Sequence, residues 1–74
     1  MSDFKFEIKK HLLTLSKDKS GWTTELNIVS YNGKEPKFDL RKWSPEHDNM
    51  AKGVSFDEEQ AEIIIKALKE EIEK

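Results

Sequence analysis

Residues 22–43, WTTELNIVSYNGKEPKFDLRKW, contain the clearest indication of how this chain folds. The part up to Tyr31 is rich in β-branched and aromatic side chains, which favour an extended strand. The pair Asn32-Gly33 follows, and both residues tolerate the left-handed backbone of a tight hairpin turn. Because Lys34-Glu35-Pro36 comes next, a longer loop is also compatible with this segment. The segment therefore predicts an antiparallel hairpin of two strands, 22–31 and 37–43.

The second strand of this hairpin has two different faces. Phe38 and Leu40 point one way, and Asp39, Arg41 and Trp43 point the other, because side chains alternate along a strand. If Phe38 and Leu40 belong to the core, Arg41 and Trp43 stand together on the open face. A cation and an aromatic ring would then both be accessible to a ligand.

Two further strands flank the hairpin. Upstream, apolar and charged residues alternate over residues 4–8, whereas Leu13 and Leu15 have the opposite parity, so we expect a bulge or a break near Lys10-His11. Downstream, residues 52–56 predict a short fourth strand whose two large apolar side chains turn inward.

A helix start is marked at Asp57. Its carboxylate can accept hydrogen bonds from the free amides of the first turn, and Gln60 stands at the reciprocal position of a capping box. Glu58 and Glu59 complement the positive end of the helix dipole. We expect the helix to run to about Glu73. The prediction is one α+β domain, residues 1–74, of order ββββα with a four-stranded antiparallel sheet.

The predicted helix carries more apolar surface than one contact with the sheet needs. Its stripe is made by Ala61, Ile64, Ile65, Leu68 and Ile72, and it is extended by Ile63 and Ala67. We therefore expect one surface to cover the sheet and another to meet the same helix of a second copy in a twofold homodimer. The predicted dimer contacts are Ile63, Ile64, Ala67 and Leu68.

The composition limits the class of protein. A chain of 74 residues with a mean hydropathy of -0.81 has room for one core and little apolar material to seal it, so oligomerisation is expected. No cysteine is present, which favours a reducing compartment such as the cytosol. The amino-terminal residues lack the pattern of a signal peptide, and we expect no membrane attachment.

Charge is distributed unevenly along the chain. Residues 1–56 carry a net charge of +2 and residues 57–74 carry -4, so a surface for a polyanion would lie in the first part. That part also holds a set of aromatic and basic residues: Trp22, Tyr31, Lys34, Lys37, Arg41, Trp43 and Lys52. Sequence-tolerant binders of single strands combine cations that follow phosphates with rings that stack on bases. The alternative is that the tryptophans belong to the core and the lysines only solubilise the chain.

This ordered set resembles the transcriptional coactivator family named positive cofactor four, and in particular its bacterial YdbC-like branch. The resemblance extends from Gly21 to Leu68. It is carried by Tyr31-Asn32-Gly33-Lys34, Phe38-Asp39-Leu40-Arg41-Lys42-Trp43, Lys52-Gly53-Val54-Ser55 and the terminal helix. It implies a homodimer that binds single-stranded DNA on a curved sheet, in the bacterial cytosol, with association with the nucleoid as an alternative.

The resemblance also implies a role for each matching position. Tyr31 would stack on a base, and Lys34 and Lys37 would contact the phosphates next to it. Arg41 and Trp43 would act as a pair on the third strand, and the lysine before the fourth strand would supply a further cation.

Other functions find less support in the sequence. His11 and His47 are the only imidazoles, and a zinc site generally needs three or four converging ligands, so we predict no metal or other cofactor. No paired acid/base site or activated nucleophile is indicated, so we expect no catalytic residues, no enzymatic activity and no small-molecule substrate. Two binding alternatives stay open: a module that docks an acidic protein partner, and an RNA-binding module. A nuclease is a more remote alternative.

Overall fold

The structure, a computed structural model, describes residues 5–74 as a four-stranded antiparallel sheet followed by one helix. The strands lie side by side in chain order. Their bounds are Phe6–Lys17 for β1, Thr23–Tyr31 for β2, Lys37–Trp43 for β3 and Val54–Phe56 for β4, and the helix α1 spans Glu58–Ile72. The predicted α+β class and ββββα order are confirmed. The predicted alternation begins at Phe4, which lies outside the described residues.

A tight turn follows β2. Asn32 and Gly33 have positive φ values of 52° and 74°, and the Lys34 amide donates to the carbonyl of Tyr31 at 3.0 Å. This is the primed turn that the sequence predicts, and its twist matches that of the flanking strands. The loop continues as far as Pro36 before β3 begins.

β1 is irregular along most of its length. Its pairing with β2 shifts between Ile8 and Lys10, between His11 and Leu13, and between Thr14 and Ser16. The first two shifts surround the predicted break near Lys10-His11, and the third was not predicted. Each extra residue bends the strand and increases its twist.

Two aromatic rings indicate how strongly the sheet curls. Phe6 is paired with Tyr31 at one end of β2, and Trp43 is paired with Thr23 at the other end. A straight strand of this length spans roughly 26 Å. The ring centroids of Phe6 and Trp43 are nevertheless only 5.2 Å apart. The sheet therefore closes over the face that carries both rings, which we call the concave face.

The buried core of the chain lies on the concave face. Trp43, Asn27 and Asp39 are fully buried there. On the opposite, convex face, Phe38 and Leu40 are only half-buried. The strand parity is as predicted, but the better-buried face is the one that we expected to be open.

The position of Trp43 corrects our expectation of an accessible stacking ring. Its exposure is 0%, because Phe6 packs against it and His47, from the loop 44–53, stacks on it with ring centroids 5.7 Å apart. Alternation along β3 determines on which face Trp43 lies, but it carries no information on whether that face closes. Trp43 is the aromatic centre of the core.

The helix begins as predicted. The Asp57 carboxylate accepts from the Gln60 amide at 2.8 Å, and the Gln60 side chain accepts from the Asp57 amide at 3.0 Å, so both halves of the capping box are present. The helix ends at Ile72, with Glu73 as its C-cap. Among residues 5–74, no helix combines the length and apolar character that crossing a membrane requires.

The helix covers the sheet less than we expected. None of its residues is buried, and Ile63 and Ile72 are 65% and 79% exposed. The contact lies next to β4, where apolar residues of β3 and β4 line a cleft together with Ile63 and Ile64. Contact with the sheet is thus confined to the first turns of α1, and most of the apolar stripe faces solvent.

Burial of Trp43 predicts a large loss of stability on truncation. Trp43→Ala should lower the free energy of unfolding by roughly 3–5 kcal/mol, because it removes a fully buried ring. Trp43→Phe should cost clearly less, since the indole Nε1 has no hydrogen-bond partner among the described residues. Urea unfolding followed by circular dichroism measures both changes. Trp22→Ala, at a half-buried position before β2, is the control, and equal losses at the two positions would contradict the core role of Trp43.

Candidate nucleic-acid interface

The hairpin brings three of the predicted binding residues together. Tyr31 is the last residue of β2, Lys34 lies in the turn, and Lys37 is the first residue of β3. They line a cleft of about 190 Å³ with Val29, Glu35 and Ser55, at one end of the concave face. Two ammonium groups and one phenol ring therefore border the same opening.

The Tyr31 ring is held in place by a buried carboxylate. Its hydroxyl donates to Asp39 Oδ2 at 2.9 Å, and the guanidinium carbon of Arg41 lies 5.3 Å from the ring centroid. Burial, followed by the hydrogen bond to Asp39, raises the pKa of Tyr31 to about 12. The ring is half-buried, so part of its surface stays accessible. A ring fixed in this way loses little freedom when a base stacks on it.

Arg41 does not have the free guanidinium that the predicted phosphate contact needs. Its Nε and Nη2 donate to the two oxygens of Asp39 at 2.6 and 2.7 Å. Its Nη1 donates to the Ala51 carbonyl and to Met50 Sδ, each at 3.3 Å. The hydrogen bonds to Asp39 raise the pKa of Arg41 above its ordinary value, and the side chain is 14% exposed. In this structure Arg41 neutralises Asp39 and fastens the loop 44–53 to β3.

The other predicted residues lie apart from the hairpin cleft. Trp22 precedes β2, at the end of the strand far from the Asn32-Gly33 turn, and it is half-buried there. Lys52 is exposed and is followed by Gly53, where an added Cβ would overlap the Cβ of Arg41. Only glycine therefore allows the chain to approach β3 this closely. The structure places Lys52 near Arg41 in the fold and does not bring Trp22 to the cleft.

The polar interior below the cleft was not predicted from the sequence. Asp39 is fully buried and accepts hydrogen bonds from Arg41, Tyr31 and Ser55, the last at 2.7 Å. The signal available in the sequence is spacing. Asp39, Arg41 and Trp43 alternate on β3, so a carboxylate and a guanidinium two residues apart face the same side as a large aromatic ring.

The raised pKa of Tyr31 predicts an alkaline transition. Tyr31 is the only tyrosine of the chain, so the near-ultraviolet absorbance of phenolate reports on this residue alone. We expect deprotonation of the folded protein at about pH 12 instead of the ordinary value of 10.0. The folded state holds this proton more tightly than the unfolded state. The stability that Tyr31 contributes is therefore complete below about pH 10 and is lost as the pH rises towards about 12.

Unfolding in urea at about pH 9 and about pH 11 checks this sign, and the stability should be lower at the higher pH. Tyr31→Phe is the control and should lack the Tyr31 part of the loss. A phenolate transition at the ordinary pKa would contradict the burial of Tyr31 and its bond to Asp39.

Comparison with known proteins identifies a family and a bacterial relative that this chain resembles. A family model described as Transcriptional Coactivator p15 (PC4) matches residues 18–67, which include every residue that lines the hairpin cleft. A protein of Treponema pallidum (strain Nichols), described as an uncharacterized protein, is 42% identical over 62 residues, which cover 84% of this chain and 71% of the relative. Neither match separates the branches of the family, so the YdbC-like branch stays a prediction. The chain belongs to the transcriptional coactivator p15 (PC4) family, whose members are known for single-stranded-DNA binding and coactivation.

Proposed function

We propose that this protein binds single-stranded DNA with little sequence preference through the cleft at the β2–β3 hairpin. The observation that carries the proposal is the arrangement of Tyr31, Lys34 and Lys37 around one opening on the concave face. Membership of the family supports the same ligand. In the cytosol the protein would act as a coactivator-like factor of transcription, or in another process of DNA metabolism that exposes single strands.

The chemistry of the cleft suits a flexible strand. Lys34 and Lys37 are exposed, so their ammonium groups can follow successive phosphates. Tyr31 offers part of a fixed ring to a base, and every base has a face that can stack. A duplex keeps its bases stacked on one another and out of reach of this ring. Stacking and phosphate contacts do not depend on the identity of a base, so we expect little sequence preference.

We also propose that the protein is a homodimer joined through α1. Its apolar residues are exposed along about four helical turns, and the cleft between α1 and β4 has a volume of about 460 Å³ with an apolar lining. A contiguous apolar surface of this kind usually marks an interface. A second copy is the simplest partner, because a twofold contact buries the same stripe on both sides. The contacts that we assign to it are Ile63, Ile64, Ala67 and Leu68.

Loss of a hairpin lysine should weaken DNA binding and reduce its dependence on salt. Each phosphate contact to a single strand contributes about 0.7 to the slope of log affinity against log salt, so Lys34→Ala and Lys37→Ala should each flatten the slope by roughly that amount. Fluorescence anisotropy with labelled oligo-dT at several salt concentrations measures the slope. Lys19→Ala removes an exposed lysine from the turn before β2 and should leave the slope almost unchanged.

The same titration with duplex DNA and with RNA tests the class of ligand. Tighter binding of single-stranded DNA than of duplex supports the proposal. Equal affinity for duplex, or affinity that does not change with salt, would contradict it. A clear preference for RNA would favour the RNA-binding alternative, and failure to bind any nucleic acid would favour a module that docks an acidic protein.

A charge in the apolar stripe should separate the dimer. Ile63→Lys should reduce the mass measured by sedimentation equilibrium to that of a single chain at micromolar concentration. Because Ile63 is mostly exposed within one chain, the helix content should change little. Glu62→Lys introduces the same side chain at a neighbouring position outside the stripe and should stay dimeric. Sedimentation of the unaltered protein as a monomer would contradict the proposed dimer.

A further inference from the structure

A second cleft lies on the concave face, away from the turn of the hairpin. It is lined by Ile8, His11, Thr14, Glu25, Asn27 and His47, and we call it the histidine cleft. Its volume of about 410 Å³ falls in the range of ligand-binding clefts, which is roughly 300–1,000 Å³. It shares no lining residue with the cleft at Tyr31.

The floor of the histidine cleft is a buried pair, Glu25 and Asn27. Asn27 Nδ2 donates to Glu25 Oε1 at 3.2 Å, and the Thr23 hydroxyl donates to the other carboxylate oxygen. Burial acts to raise the pKa of Glu25, but the hydrogen bonds from Thr23, Asn27 and His47 outweigh it and keep the pKa below its usual value. The floor is therefore a fixed carboxylate whose oxygens are already occupied.

Both histidines are anchored to this floor. His47 Nε2 lies 2.8 Å from Glu25 Oε2, and His11 Nδ1 lies 2.6 Å from Asn27 Oδ1. Because both acceptors are oxygens, each imidazole donates a proton to the floor and turns its second nitrogen away from it. The His11 and His47 side chains are 50% and 40% exposed. Among residues 5–74, no three His, Cys, Asp or Glu side chains are placed to hold a metal ion.

His47 has the geometry of a stacking surface. Its ring lies almost parallel to Trp43, with an interplanar angle of 22°. Trp43 is fully buried and packs against one side of the imidazole, while 40% of the His47 side chain stays exposed. His47 also has a φ of 60°, which is uncommon for a residue with a side chain, and its amide donates to the Ser44 carbonyl at 2.9 Å. Backbone conformations of this kind are concentrated at functional sites.

We propose that the histidine cleft binds one base of the single strand, with His47 as its stacking surface. This inference rests on the proposed function. His47 takes the role that the sequence suggested for Trp43, and Trp43 supports it from beneath. Ile8 supplies an apolar wall. The Thr14 hydroxyl and the outer nitrogen of His11 are 3.2 Å apart and hydrogen-bond to each other, which leaves the lone pairs of the hydroxyl oxygen to accept from a base.

The test compares oligo-dT with a strand of the same length made of abasic sites, using two variants. His47→Asn removes the ring but tolerates the left-handed backbone, whereas His47→Phe keeps a ring. Loss of stacking should weaken the binding of oligo-dT by His47→Asn roughly 5-fold to 150-fold, and His47→Phe should stay within about threefold of the unaltered protein. On the abasic strand, His47→Asn and the unaltered protein should bind alike, because no base is left to stack.

The outcomes separate this inference from the proposed function. An equal loss on both strands would mean that His47 acts through the fold or through charge, and it would overturn the inference. The inference would also be overturned if the unaltered protein binds oligo-dT and His47→Asn binds it equally well. If the unaltered protein binds neither strand, the proposed single-strand function fails first and the inference fails with it.

A second measurement needs no variant. The chain has two histidines, so the imidazole proton signals can be resolved by nuclear magnetic resonance. A base stacked on His47 should move its ring-proton signals upfield when oligo-dT is added, and the abasic strand should cause a smaller change. Equal changes with both strands, or no change at saturation, would overturn the inference.

Discussion

The buried carboxylate of Asp39 accepts hydrogen bonds from three strands. Arg41 neutralises it through two short contacts, and Tyr31 and Ser55 each donate a hydroxyl proton to it. Removing one partner of a buried ion pair leaves the other charge uncompensated, at a cost of about 3–5 kcal/mol. That is a large part of the total stability of a small domain, which is about 5–15 kcal/mol. The position of the hairpin, of β4 and of the loop 44–53 therefore depends on this one group.

Polar side chains occupy the interior of the chain, and many apolar ones lie outside it. The concave face closes on directional hydrogen bonds around Asp39, Glu25 and Asn27, and such networks favour one geometry over others. The apolar residues of α1 contribute little to stability while they face water, because the hydrophobic effect requires their removal from it. In the proposed dimer, shape is determined within each chain, and a large part of the stability comes from association.

Local chemistry made the secondary structure predictable. The turn at Asn32-Gly33 and the helix start at Asp57 each depend on residues within a few positions of one another, and the three hairpin residues of the candidate site lie in or directly beside one short loop. Burial was not predictable in the same way. Trp43 is covered by Phe6 from the far end of the sheet, so its environment depends on how strongly β1 bends. His47 lies in a loop without periodicity, and only the tertiary structure places it on Trp43.

β4 and α1 are separated by a single residue, Asp57, which is also the N-cap of the helix. The rotation of α1 about its own axis is therefore determined by where β4 ends. Successive helical residues are about 100° apart, so one residue inserted at Asp57 would turn the apolar stripe by about that angle. An insertion in the exposed part of the preceding loop, at Glu46, would leave the rotation unchanged. The rotation of α1 therefore depends on the chain length on one side of β4 and not on the other.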